Sequence, residues 1–279
     1  DNPIGGVEAV AYNTVEGLIE CRKKLLNENM EIIILSNTKG KGNSIEYRIM
    51  EEPVKVFYYN RKNFEPLLGD IYSFSLTKTL FRRIVSSADL VHSHDILFSL
   101  QFTLLHYKPF IHHFHGLPWN EFKLTFGTLR KIGYVLATLR FKLLSKLPHT
   151  RFIAISRYVL DEVKKNLKID DLRILLVPNP VSKSFFQISK NEVPRLLFYP
   201  ARLVPRKNHV TLIKALYILK KWRLYDIKLA LTGEPRDNDY FRLLQYLIRK
   251  YELNRNIVLL GRIDRPRLLE MYSKASLVV

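Results

Sequence analysis

At 279 residues and 47% hydrophobic content, the chain can bury one large core or two ordinary ones. One cysteine, Cys21, excludes an intrachain disulfide and fits a reducing compartment; no secretory signal is visible. The net charge of +19 is uneven, +7 over residues 1–182 and +12 over 183–279, which fits a polyanionic ligand, a nucleic acid or an anionic membrane.

In chain order, a Gly5-Gly6 turn precedes an amphipathic helix over 7–26. Compact apolar strands are predicted at 31–36 and 54–59, and a helix at 76–87. The strand 89–94 runs into a polar end, and the strand 109–114 stops at His115-Gly116. The stretch 122–147 is greasy, but Lys123, Arg130, Lys131, Arg140, Lys142 and Lys146 keep it from spanning a bilayer. Within it, a helix starts just after Gly127. Its apolar stripe is Leu129, Ile132, Leu136, Leu139, Leu143 and Leu147. Two readings stay open for this helix over 128–147: it lies on an anionic membrane, or it packs on a sheet with a solvated basic face. A strand at 152–156, a helix at 158–167 and a strand at 173–177 complete the series, which ends at Pro178-Asn179-Pro180.

Residues 181–192 have no clear period and read as a linker. The alternation then restarts with strands at 195–199, 227–232, 256–260 and 276–279, separated by helices at 209–221, 239–251 and 266–274. Strands alternating with helices specify an α/β fold with parallel sheets, here in two domains, 1–182 and 183–279. No strand precedes the glycine turn, and 275–279 reads as a strand with no turn after it, so the expectation is an internal fragment with its second domain incomplete.

The basic loop after 196–199 holds Arg202, Arg206 and Lys207 and opens a helix for which Asn208 is a good N-cap. A strand end, two cations and a helix N-terminus can together hold a phosphate, with Arg gripping two oxygens and Lys acting as a point charge. Taken alone, it equals a solvated basic loop. Gly233 and Gly261, the latter followed by Arg262, end the next two strands in turns. If those strands are parallel, all three loops share one sheet edge, where α/β folds bind ligands. Asp264 with Pro266 is a local helix start.

Histidines cluster at 92, 94, 106, 112, 113 and 115. His113 and His115 share a strand face while His112 points away, no cysteine accompanies them, and no His-Glu-x-x-His helix exists. A metal site is therefore not expected. His94 and His115 end strands, at the ligand-binding rim; His92 reads as a packed or capping residue. No Gly-x-Gly-x-x-Gly, Walker loop or Gly-x-Ser-x-Gly is present.

In this order the motifs resemble the retaining glycosyltransferases of the GT-B fold, family 4. The resemblance rests on Gly5-Gly6-Val7-Glu8, Asp89-Leu90-Val91-His92-Ser93-His94, the strand ending at His115, Ile153-Ala154-Ile155-Ser156, Val177-Pro178-Asn179 and Ala201-Arg202 through Lys207-Asn208. It covers nearly the whole chain. It implies two Rossmann-like domains facing across a cleft, and sugar transfer from a nucleotide-sugar donor with retention at the anomeric carbon. Arg202 and Lys207 would hold the donor diphosphate, and His115 would act beside the donor sugar. Gly5, Gly6, His94, Gly233, Gly261 and Arg262 would contribute further substrate contacts, with no metal and no cofactor. Ala201, Arg206 and Pro180 depart from the family's Gly, Glu and Gly, and the family's paired glutamates would fall beyond Val279. The 279 residues alone are thus expected to lack a complete active site. A lipid-linked or membrane-proximal acceptor, met at the inner, cytoplasmic face of a membrane through 128–147, is the accompanying expectation. The alternatives are a basic nucleic-acid-binding protein, or a nucleotide-sugar epimerase or hydrolase on the same scaffold.

Overall fold

The computed structural model describes residues 6–24, 31–38, 44–49, 52–60, 87–96, 99, 109–124, 128–235 and 238–279. The chain divides into two compact units between Pro180 and Val181.

The first unit opens with α1 (Gly6–Lys24), whose Ile19 is fully buried among Tyr12, Val15, Ile32 and Ile34. Strands β1 (Ile33–Thr38), β2 (Ser44–Ile49) and β3 (Glu52–Asn60) form a sheet in the order β1-β3-β2. β1 runs parallel to β3, and β2 runs antiparallel to it. β2 was not among the predicted strands, although Ile45, Tyr47 and Ile49 alternate with Glu46 and Arg48 at the strand period. The helix predicted at 76–87 lies outside the described residues apart from Ser87.

A second, all-parallel sheet follows, with β4 (Val91–Ser93), β5 (Phe110–Phe114), β6 (Thr150–Ala154) and β7 (Ile174–Leu176) side by side in chain order. Helices α2 (Pro118–Leu124), α3 (Thr128–Ser145) and α4 (Arg157–Leu167) connect its strands. The core joins Phe114, Phe152 and Ala154 to Phe141 and Leu144 of α3 and to Val159, Leu160 and Val163 of α4. Ser156 caps α4, its Oγ accepting from the Val159 amide at 3.2 Å. The Arg173 guanidinium donates to the carbonyls of Ser145, Leu147 and Thr150 at 2.9, 2.6 and 3.2 Å, tying the end of α3 to the sheet.

α3 packs through a different face from the predicted stripe. Phe141 and Leu144 are buried, whereas Ile132, Val135, Leu139 and Leu143 are 46, 47, 49 and 53% exposed. These four are spaced by three, four and four residues, so they form one solvent-facing apolar row beside exposed Lys131 and Lys142.

The second unit contains β8 (Val193–Tyr199), α5 (His209–Lys221), β9 (Lys228–Leu231), α6 (Asn238–Lys250), β10 (Ile257–Leu259), α7 (Arg265–Lys274) and β11 (Ala275–Val278). All pairs are parallel, in the order β10-β9-β8-β11. The chain therefore steps outward from β8 to β10 and returns to the other side of β8, so the strand order reverses at β8/β11. Its core packs Leu203, Ile213 and Leu216 against Leu229, Leu231, Leu244 and Leu247. Asp264 caps α7 through the Arg267 amide at 2.9 Å. The stretch read as a linker is pinned to this unit: Asn191 N–H donates to Ser273, Lys190 Nζ reaches the Ala275 carbonyl, and Phe185 packs edge-on against Tyr272. No helix among the described residues is long and apolar enough to cross a membrane.

Candidate active site

The loops after β8, β9 and β10 meet at the C-terminal edge of the second sheet. Gly233, at φ +107°, sits so close to the loop after β8 that a Cβ there would fall 2.6 Å from the Ala201 carbonyl oxygen and 2.8 Å from the Arg202 Cα. Its N–H donates to the Gly261 carbonyl at 2.8 Å, and Leu203 bridges to Pro235. Gly261 also has positive φ, +65°, but open space around it. The parallel condition is met, and Arg202, Lys207, Gly233, Gly261 and the exposed Arg262 gather on one rim.

Arg202 is half-buried and Lys207 exposed, and neither side chain has a hydrogen-bond or ion-pair partner among the described residues. Two cations at a topological switch point, with no carboxylate paired to them among the described residues, are chemically set for an anion. Arg206 lies in the same short turn, Pro205–Lys207.

The helix N-terminus differs from expectation. Asn208 occupies the cap position, but its backbone is left-handed (φ 52°, ψ 40°) and its side chain caps no amide. Asn tolerates that conformation, and its Oδ1 instead accepts from Thr211 Oγ1 at 2.9 Å. The first amide of α5, on His209, donates to the Tyr240 hydroxyl of α6 at 3.0 Å, so this N–H already has a partner. Tyr199 Oη donates to the Lys207 carbonyl at 2.7 Å and clamps the turn from below. His209 is fully buried. Burial lowers its pKa from 6.5, aided by the Lys207 charge and opposed by a backbone contact to Ala201. Tyr199, His209 and Tyr240 are supports that sequence reasoning missed; an aromatic on a strand, a helix start and a neighbouring helix carries no signal until the elements pack.

In the first unit the register Val91↔Phe110, His92↔Ile111 sets which histidines share a face. His92, His94, Ile111, His113 and His115 fall on one side, and Ser93 and His112 on the other. On the shared face the imidazoles form a ladder, with ring centroids 4.7 Å apart for His92–His94, 4.9 Å for His94–His113 and His94–His115, and 4.5 Å for His113–His115. His94 Nδ1 and His115 Nε2 are 2.6 Å apart, one donating and the other accepting. Burial, and then the mutual repulsion of the other rings, pushes His94 down to about 3; burial, and then His115 and His92, takes His113 to about 4, with the Asn179 side chain pulling the other way. Burial also lowers His92. Neutral imidazoles able to donate or accept thus line the end of this sheet.

On the opposite face, His112 is buried against Phe114 and Phe141. Ser99 Oγ donates to the Asp95 carbonyl at 2.7 Å, so its lone pair accepts from His112 Nδ1 at 2.7 Å, which fixes the tautomer. Gly6 is the first residue of α1, Gly116 has no neighbour within 4 Å of where a Cβ would stand, and Gly5 and His106 lie outside the described residues.

Sequence comparison bears on these two sites, each described within its own unit. The profile of Glycosyltransferase Family 4 matches residues 4–185, and that of Glycosyl transferases group 1 matches residues 181–279. A search of curated proteins finds none that matches. Among solved structures, a glycosyltransferase from Rickettsia africae is 18% identical, with a TM-score of 0.58 over 95% of this chain and 69% of that one. HepE from Anabaena, solved with UDP and glucose, is 14% identical, with a TM-score of 0.63 over 100% of this chain and 71% of that one. WaaG, a glycosyltransferase involved in lipopolysaccharide biosynthesis, is 12% identical, with a TM-score of 0.63 over 99% and 71%. At such identities the structures speak for the fold, which is that of the GT-B glycosyltransferases. Because the first profile spans well over half of the residues and the second takes up where it ends, the chain belongs to glycosyltransferase family 4.

Proposed function

We propose that the chain forms the donor-binding part, in its second unit, and the acceptor-side part, in its first, of an enzyme that transfers a sugar from a nucleoside-diphosphate sugar to its acceptor with retention of anomeric configuration. The observation that carries this reading is the pair of cations, Arg202 and Lys207, without a partner among the described residues, on a loop braced by Gly233 and Gly261 at the strand-order reversal. Departure of a nucleoside diphosphate builds negative charge on its phosphates. A guanidinium that grips two oxygens and an ammonium beside it stabilise that charge more in the transition state than in the ground state, without calling on a metal. His115 serves the donor sugar in this reading, with His94 beside it sharing a proton; both stay neutral hydrogen-bonding groups. Gly6 and Arg262 contribute further contacts. HepE, a structural neighbour, was solved with UDP-glucose, which supports a uridine diphosphate donor as the first to try.

The test is calorimetric titration of the chain with UDP-, GDP- and ADP-sugars, repeated for Arg202→Ala and Lys207→Ala. Each substitution should weaken diphosphate binding roughly tenfold to a hundredfold, the range of one charge-assisted contact of about 1.5–3 kcal/mol. Unchanged affinity in both variants overturns the assignment of the loop. Retention is read separately, from the anomeric configuration of the product formed by the full-length protein, by NMR.

The acceptor is read as membrane-proximal. The half-exposed row Ile132, Val135, Leu139 and Leu143, flanked by Lys131 and Lys142, fits an interfacial helix whose cations meet anionic headgroups at the cytoplasmic face. The chain should sediment with anionic liposomes at low salt, and Leu139→Ser with Leu143→Ser should abolish this. Failure of the unaltered chain to sediment overturns it.

A further inference from the structure

We propose that His92, His94 and His113 form a binding site for a borderline divalent transition-metal ion, zinc being the ion of choice, in the first unit. The site goes beyond the donor reading: it shares His94 with the donor-sugar contacts and uses none of the residues assigned to the diphosphate. Three observations carry it.

One ring nitrogen from each of these three histidines lies within 4.8 Å of the others. For an ion held at about 2.0–2.1 Å in tetrahedral geometry, neighbouring nitrogens stand about 3.4 Å apart, so the cluster needs to contract by little more than about an ångström. His94 follows the end of β4 and is free of the strand ladder, so rotation about its side-chain torsions supplies that contraction.

The nitrogens are also uncommitted where they should not be. Among the described residues, buried His92 Nε2 has no hydrogen-bond partner, and His113, 3% exposed, has none of good geometry at Nδ1 or Nε2, only the nearby Asn179 side chain. A buried polar nitrogen without a partner costs free energy, and such groups in a folded protein call for an explanation. A metal ion answers for His92 and His113 together.

The set is built by rigid parts. The Val91↔Phe110 register of two adjacent parallel strands puts His92 and His113 on one face, their ring centroids 5.4 Å apart and the rings near parallel, so each ring turns about its terminal torsion to aim a nitrogen at a common ion. The fourth position is open. A water can take it, leaving His115, whose Nε2 is 2.6 Å from His94 Nδ1, to the donor sugar.

The donor set names the ion class. Imidazoles without a thiolate or carboxylate select zinc and its first-row neighbours and are poor ligands for magnesium or calcium, which take oxygen. Sequence spacing argues against this site because it counts only the face shared within one strand; the partner strand supplies the second and third ligands.

The experiment titrates the metal-stripped chain with Co2+, followed by competition with Zn2+ and with Mg2+. The expected result is one equivalent of Co2+ giving the intense visible bands of a four-coordinate ion, displaced by Zn2+ and not by Mg2+. Second-sphere substitutions weaken metal sites about 10–100-fold, so loss of a ligand in His92→Gln or His94→Gln should weaken binding by about 100-fold or more, with His149→Gln, outside the cluster, unchanged. Weak octahedral-type bands, the absence of saturation near one equivalent, or wild-type affinity in both His92→Gln and His94→Gln overturns the site. The spectrum of the unaltered chain decides even where a variant does not fold. Donor-nucleotide binding by the same metal-stripped sample reports on the donor reading independently.

Discussion

The junction of three loops can be tested at two glycines that differ in one respect. Gly233 and Gly261 both have positive φ, and the Gly233 N–H bonds to the Gly261 carbonyl. Alanine at Gly261 meets nothing within 4 Å, so Gly261→Ala should cost only the left-handed backbone term, about 1–2 kcal/mol. Alanine at Gly233 bears a backbone cost of about 1–3 kcal/mol at φ +107° and also drives its Cβ to 2.6 Å from one backbone atom and 2.8 Å from another. Neither atom is the end of a flexible side chain, so the 201–203 segment itself must move, an overpacking cost of about 1–3 kcal/mol. The total for Gly233→Ala is about 2–6 kcal/mol. For a unit of about 100 residues, each kcal/mol lowers the melting temperature by about 4–8 °C, so thermal unfolding followed by circular dichroism separates the two variants. Nucleotide titration adds a second reading: displacement of Arg202 should weaken UDP binding in Gly233→Ala and spare it in Gly261→Ala. Equal destabilisation of the two, or a milder effect at Gly233, refutes the close approach and with it the bracing of the cationic loop.

Three further outcomes follow. Tyr240→Phe removes the acceptor for the His209 amide and should destabilise the second unit by about 1–3 kcal/mol in urea unfolding, the cost of a buried unpaired N–H; no change would mean that another group already serves that amide. Arg173→Ala loses three carbonyl contacts and should cost roughly 2–3 kcal/mol, and Arg173→Lys should recover less than half of it, because an ammonium lacks the planar fork that reaches all three; full recovery would reduce the residue to its charge. His209 has a folded pKa below its unfolded 6.5, so the unfolded chain takes up the proton first; stability of the second unit should be complete above pH 6.5 and fall as pH drops below it, and His209→Gln should flatten that fall, measured by urea midpoints from pH 7.5 to 5.

Much of the fold was legible because buried parallel strands are short apolar runs and their crossovers carry helical spacing. Leu196–Tyr199 and Phe152–Ala154 announce themselves in this way, and the helix at 209–221 was placed to the residue. Ser44–Ile49 escaped because a strand alternating apolar and polar residues between two polar segments has no apolar run to mark it. Of the two readings left open for α3, packing through the leucine stripe is not what the structure shows, for a different reason. Leucines at helical spacing define a stripe, but the packed side was decided by Phe141 and Leu144 against Phe114 and Phe152, which no spacing rule ranks above the leucines. In the site, Arg202 and Lys207 were legible as charges on a strand-to-helix loop. The histidine ladder was not, because parity within a strand is written in the sequence while the register between strands is set by packing. Asn208 shows residue preference overridden locally: the turn at Pro205–Lys207 delivers the chain to it in a left-handed conformation, from which the side chain bonds to Thr211 instead of capping.

The pairing of β8 with β11 carries a consequence for biosynthesis. Phe198 finds its neighbour Val278 some eighty residues downstream, while its other neighbour, Ala230, is only about thirty residues away. A ribosome therefore releases β8, the cationic loop and two crossovers long before the strand that completes the strand-order reversal exists. Such a distant contact closes late, because the chain between must be ordered before the contact repays it. During that interval the flank of β8 awaiting β11 is an open edge, with the donor loop already attached to it. Nascent chains arrested at successive lengths and probed for nucleotide binding should gain it in one step, when 275–278 clear the exit tunnel, and not gradually as each loop emerges.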